Sequence, residues 1–118
     1  MKDVVIKVVI VEPNKPARVE LIPNALETFQ EIVGGYIECI REEGFDIIIN
    51  EEGKLDELEP NFILYGGKDF VAGTAIFSGV DYSEGEFKSL TDEQIKFILK
   101  IFEKRLPKEG VKVDGKTN

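Results

Sequence analysis

Val4-Val5-Ile6-Lys7-Val8-Val9-Ile10-Val11 is β-branched at every position except Lys7. In an extended chain Val4, Ile6, Val8 and Ile10 share one face, and Val5, Lys7, Val9 and Val11 share the other. Both faces are largely apolar, so the run reads as a central strand covered on at least part of each side. The next five residues have turn chemistry: Glu12-Pro13-Asn14-Lys15-Pro16 carries two prolines, which remove amide donors and fix φ. A short second strand is expected over 17–22, with Val19 and Leu21 on one side.

Further along, the apolar period lengthens. Leu26, Phe29, Ile32 and Val33 mark the buried stripe of a helix over 25–33. Asn24 and Glu27 have the spacing of a capping box, and Gly34-Gly35 ends the helix. Strands are expected over 36–40 and 45–49, joined as a hairpin by Arg41-Glu42-Glu43-Gly44. Leu55 and Leu58 fit one helical turn or a packed loop, and 62–65 is a short apolar segment. A further strand is expected over 69–78 with Gly73 inside it, where a bulge or a close approach by another group would explain the glycine. Thr91 and Gln94 repeat the capping-box spacing ahead of a helix over 92–105. Its buried stripe is Ile95, Ile98, Leu99, Phe102 and Leu106, widened by Phe97 and Ile101, and Pro107 stops it. The pattern predicts an α+β fold: a two-layer sandwich with a largely antiparallel four- to five-stranded sheet and two helices on one face. A single domain is expected over 1–107, with a polar, flexible tail over 108–118.

Composition narrows the chemistry more than it defines it. The chain has 118 residues, no histidine and no tryptophan, and one cysteine, Cys39. Histidine-based triads, bases and metal sites are excluded, as are an internal disulfide framework and a cysteine-rich zinc site. Cys39 alternates with Glu38 in a strand and reads as a small core residue. Fifteen basic residues against twenty-three acidic ones leave a net charge of −8, which disfavours nucleic acid and anionic membranes. The cluster Lys96, Lys100, Lys104, Arg105 and Lys108 suits the wet face and last turns of a helix instead. No apolar run approaches the ~20 residues that span a bilayer. No small-residue cleavage site comes after residues 4–11, and a lone reduced thiol suits the cytoplasm.

The densest polar constellation is the loop over 50–54: Asn50, Glu51, Glu52 and Lys54, with Gly53. An amide that donates and accepts, two acceptor carboxylates and a movable cation suit a polar ligand. The competing explanation is a solvated turn. A magnesium ion would need more oxygen ligands than this loop has; Glu12 or Glu38 would have to add one. Asn61, after Pro60, would aim an amide at the loop, or else bond its own backbone as a turn residue. Thr74, beside Gly73, would offer a hydroxyl over the sheet. No metal or cofactor is expected, and no residue is assigned a catalytic role. No nucleophile elbow, phosphate loop or calcium loop has the required spacing.

Several of these stretches together resemble a bacterial and phage family, the domain of unknown function 3846. They are Val8-Val9-Ile10-Val11-Glu12-Pro13-Asn14, Gln30-Glu31-Ile32-Val33-Gly34-Gly35-Tyr36-Ile37-Glu38 and Asn50-Glu51-Glu52-Gly53-Lys54-Leu55. Pro60-Asn61, Ala72-Gly73-Thr74 and Ser89-Leu90-Thr91-Asp92-Glu93-Gln94 continue the likeness in order. The family brings no assigned activity; the resemblance implies a phage or mobile-element setting. An arginine common in the family after Pro-Asn is Phe62 here, so a cation is missing from that place.

The resulting expectation is a small acidic accessory protein that binds a small polar ligand or a host factor through the 50–54 loop without catalysis. Sequestration of part of a host defence system is one version. The alternatives are a protein-interaction module using its acidic surface or a sheet edge, and a carboxylate-dependent enzyme.

Overall fold

The computed structural model describes residues 4–105. The expected tail over 108–118, with Leu106 and Pro107, lies outside the described residues. The elements in chain order are β1 (Val5–Val11), β2 (Arg18–Pro23), α1 (Leu26–Val33), β3 (Ile37–Arg41), β4 (Phe45–Asn50), β5 (Pro60–Leu64), β6 (Asp69–Ala72), β7 (Ala75–Asp81), β8 (Glu86–Lys88) and α2 (Asp92–Ile101). One 3-10 turn, Tyr65–Gly67, joins β5 to β6. The main sheet runs β2-β1-β7-β4-β3, with β8 on β7, and β5 and β6 form a separate hairpin. All pairings are antiparallel, so the α+β class and the antiparallel sheet hold.

Alternation along β1 divides the core. Ile6, Val8 and Ile10 point to one face, where they meet Ile48, Ile76 and, from α1, Phe29 and Val33. Val9 and Val11 point to the other, where they meet Ile47, Ile49, Phe77 and, from α2 and the residue that caps its C-terminus, Ile95, Ile98 and Phe102. The two helices therefore cover opposite faces, not one face of a two-layer sandwich. The physical reason lies in β1 and β4. Every residue of β4 is buried, and β1 is apolar on both sides, so each face needs its own cover. Helix α1 connects one sheet edge, β2, to the other, β3, across the first face. The second face carries α2 together with Phe62 and Leu64 of the hairpin. Phe77 lies there with ring centroids 5.9 Å from Phe45, Phe62 and Phe102. Side chains of this size, fully buried, contribute about 1.5–3 kcal/mol each.

Gly73 ends β6 instead of sitting inside one strand over 69–78. Its φ of +87° turns the chain, and β6 and β7 go to different sheets. A Cβ there would lie 2.8 Å from Leu58 Cδ1. At the start of α1 the expected capping box is absent: Ala25 is the N-cap and no side chain caps it. Asn24 is buried instead, donating through Nδ2 to Phe87 O at 2.9 Å. The box at α2 forms as its spacing predicts, with Gln94 N–H donating to Thr91 Oγ1 and Thr91 N–H to Gln94 Oε1. Phe97 and Ile101 do not widen the buried stripe of α2; both are exposed, beside a groove between α2 and the hairpin.

Candidate functional site

The loop after β4 is a run of turns rather than a free bend. Gly53 N–H donates to Asn50 O, Asp56 N–H to Glu52 O, and Leu58 N–H to Gly53 O. Asn50 locks its root. The side chain is buried, with Nδ2 donating to Val33 O at 3.2 Å and Oδ1 accepting from Glu52 N–H at 2.8 Å. It thus satisfies a carbonyl at the C-terminal end of α1, where the helix itself supplies no donor. Gly53 presses the loop onto β6, where a Cβ would meet Ala72 O at 2.7 Å.

This locked loop closes one end of a cleft of about 400 Å³. One wall is the face of β3 and β4 that carries Glu38, Ile40 and Ile49. The other is the β5–β6 hairpin with Leu64, Tyr65 and Phe70. Glu51 and Glu52 are exposed at its end, and Leu55 stands beside them. Lys54 is not a free cation: its Nζ pairs with Asp69 and lies 5.1 Å from the centroid of the Phe70 ring. The Lys54 ammonium, with the Phe70 amide, holds the Asp69 carboxyl below the usual carboxylate range. Tyr65 enters the cleft at φ +52°, a left-handed conformation that costs an L residue about 1–2 kcal/mol.

The structure gathers Asn50, Glu51, Glu52 and Lys54 around the cleft and leaves Asn61 and Thr74 outside its lining. Asn61 is engaged within the fold. Its Nδ2 donates to Val11 O and Gly73 O, each at 2.8 Å, joining β1 to the hairpin. Its Oδ1 accepts from the Arg105 guanidinium at 2.7 Å. That guanidinium also donates to Asn61 O and Glu12 O. Arg105, expected from the sequence on a wet helical face, thus supplies the cation beside Asn61 from the other end of the chain. Burial lowers its pKa from the ordinary value. Phe62, where the family commonly carries arginine, packs its ring on Phe77 and Phe102. Thr74 is half-buried at the break between β6 and β7.

Of the two carboxylates named as additional oxygen ligands for the loop, Glu38 lines the cleft. Glu12 instead accepts Lys15 at 3.1 Å and Arg18 at 2.8 Å. Among the described residues no three His, Cys, Asp or Glu side chains converge as metal ligands, and no helix is long and apolar enough to cross a membrane. Cys39 is an exposed residue of β3 rather than a core residue, because β3 is the last strand of the sheet. Desolvation of its sulfur, with Asp46 and Glu38 nearby, raises the thiol pKa, the opposite of what a nucleophile needs.

The cleft residues Glu38, Tyr65 and Phe70 carry no sequence signal that assigns them to one site. No local pattern joins β3 to a hairpin that begins nineteen residues after it, although Gly66-Gly67 is legible as a turn.

No curated protein and no solved structure matches the chain. A model of a domain of unknown function, DUF3846, matches residues 6–103. Since that match runs from within β1 to just beyond α2, and so takes in both sheets, the cleft and its locked loop, the chain belongs to the DUF3846 family.

Proposed function

We propose that this chain is a non-catalytic accessory protein of a phage or mobile element, working in the cytoplasm, whose cleft beside the 50–54 loop binds a small polar ligand or a host factor. The observation that carries the reading is the pairing of a clamped loop with a concavity. Asn50 and Gly53 hold the loop still, so Glu51 and Glu52 stand at the end of the cleft without each binding event having to order them. The cost of holding Tyr65 at positive φ, in that same wall, also fits a binding role. Carboxylates accept hydrogen bonds and cannot donate them, and aromatic faces attract cations, so the favoured ligand carries an amine or guanidinium.

Native mass spectrometry of protein purified from its host tests this directly. The expected result is a co-purifying small molecule or partner that the Glu51→Gln/Glu52→Gln double variant fails to retain. Retention of the same species by both proteins, or a bare chain that shows no thermal shift with amines or guanidines, would overturn it.

A second reading, an interaction module using a sheet edge, is favoured by one specific feature: β3 ends the main sheet and borders the same cleft.

A further inference from the structure

Along the cleft face of β3 and just past its end, three alternate positions are acidic, apolar and acidic: Glu38, Ile40 and Glu42. Glu51 N–H donates to Tyr36 O, and Glu42 N–H donates to Phe45 O. These bonds set the phase of the β3–β4 ladder. In an antiparallel pair alternate residues bond inward, so Glu38 and Ile40 also bond toward β4. The N–H and C=O groups of Ile37, Cys39 and Arg41 therefore face away from the sheet.

The opposite edge is better defended. β2 ends in Pro23, which has no N–H, and the Arg18 and Glu20 side chains pair along it.

Side chains on one face of an extended strand recur every second residue. On the cleft side of β3 these are Glu38 and Ile40, with Glu42 next, just past the strand. Glu38 and Ile40 line the cleft, and Glu42 lines a second, apolar groove of about 280 Å³. The two concavities share Leu64 and Tyr65. The second groove lies between the hairpin and α2, and its rim carries Ile63, Phe97 and Ile101, all more than half exposed. Glu42 is its one charged lining residue among those described. Glu38 and Glu42 are four residues apart, about 13 Å along a strand.

We infer that β3 accepts an added strand from a partner protein, and that the strand it fits places lysine or arginine, an apolar residue, and again lysine or arginine at alternate positions. The backbone of the added strand bonds to Ile37, Cys39 and Arg41. Its two cations face Glu38 and Glu42, and its apolar residue lies over Ile40 toward the groove. Charge complementarity decides the partner, since an acidic strand would set like charges opposite one another. This inference rests on the interaction-module reading and does not need the small-ligand reading.

The test uses the peptide Thr-Lys-Thr-Ile-Thr-Lys-Thr and its counterpart with glutamate in place of both lysines, titrated into nitrogen-15-labelled full-length protein. The expected result is slower amide exchange at Ile37, Cys39 and Arg41 with the lysine peptide, weakening as salt is added. Glu38→Lys/Glu42→Lys is expected to lose about tenfold in affinity for the lysine peptide and to acquire binding of the glutamate peptide. Glu51→Gln/Glu52→Gln, which tests the small-ligand cleft, is expected to keep the preference for the lysine peptide over the glutamate peptide, because Glu38 and Glu42 remain. Equal binding of the two peptides, or unchanged exchange at those three amides, would sink the inference. So would protection that rises with protein concentration alone, since the edge would then belong to a second copy of this chain.

Discussion

Asn50 and Glu51 are neighbours in the chain, yet one side chain is enclosed by the fold and the other is open to solvent. The Asn50 amide is buried and bonded at both ends, while Glu51 is exposed. Asn50→Ala strands the Val33 carbonyl and the Glu52 N–H. Leaving a buried polar group unpaired costs about 1–3 kcal/mol. Urea denaturation is expected to show a loss in that range for Asn50→Ala and less than about 0.5 kcal/mol for Glu51→Ala. An Asn50→Ala protein as stable as the parent would remove the clamp from the account of the cleft. Cys39 offers a second check at this scale. Its raised thiol pKa leaves less thiolate at pH 8 than an unstructured cysteine has. Alkylation by iodoacetamide is expected to be slower in the folded protein than in urea. A faster folded-state reaction would contradict the desolvated position of the sulfur.

Among the elements, the break at Gly73 does the most to shape the site. It sends β6 to the hairpin and β7 to the middle of the main sheet, and so creates the wall opposite β3. Gly73→Ala forces a Cβ into a left-handed backbone, at about 1–2 kcal/mol, and pushes it against Leu58. The expected outcome in thermal melts is a lower midpoint, with local loosening of residues 60–72 in amide exchange. An unchanged midpoint would show that the turn can be remade without glycine. The glycine itself was visible in the sequence, but its φ was not. A bulge and a bend between two sheets ask for the same residue, and local pattern does not separate them. The α2 cap was legible because both partners lie within three residues. Asn24 carried an equally good local signal, but a distant carbonyl, Phe87 O, takes its amide.

The whole molecule is tied together by contacts between ends of the chain. The Arg105 guanidinium bonds Glu12 O, Asn61 O and Asn61 Oδ1, joining the end of α2 to the turn after β1 and to β5. Arg105→Ala is expected to cost about 1.5–3 kcal/mol in equilibrium unfolding, the usual range for hydrogen bonds to a charged group. Arg105→Lys should recover little, since an ammonium lacks the planar fork. Full recovery by lysine would mean that charge alone suffices. The same turn contributes to stability in acid. Hydrogen bonds from Lys15, then Arg18, hold the Glu12 carboxyl below its ordinary range. The unfolded chain, with Glu near about 4.3, therefore takes up protons first. Stability from this group is complete above that value and is lost as pH falls through the lower, folded one. Unfolding free energy is expected to fall on acidification below about pH 4.3, less steeply in Glu12→Gln than in the parent. Equal slopes in both proteins would assign the acid limit to other carboxylates.

The order of residues is enough to read whatever depends on near neighbours in the chain. β-Branched alternation made residues 4–11 a strand that is apolar on both faces. Spacing of three and four residues placed the helices, and the absence of histidine removed whole classes of chemistry. It also marked the 50–54 loop as unusually polar. Packing of the whole chain settles which face each helix covers, which distant carbonyls the Asn50 and Asn61 amides meet, and that Glu38, Tyr65 and Phe70 join Glu51 and Glu52 around one concavity. The reason is the range of the interactions. Periodicity and capping act over a few residues and leave a trace in the order of the chain. A buried or half-buried amide instead finds its partner 17, 50 or 63 residues away, wherever packing has brought a carbonyl within reach.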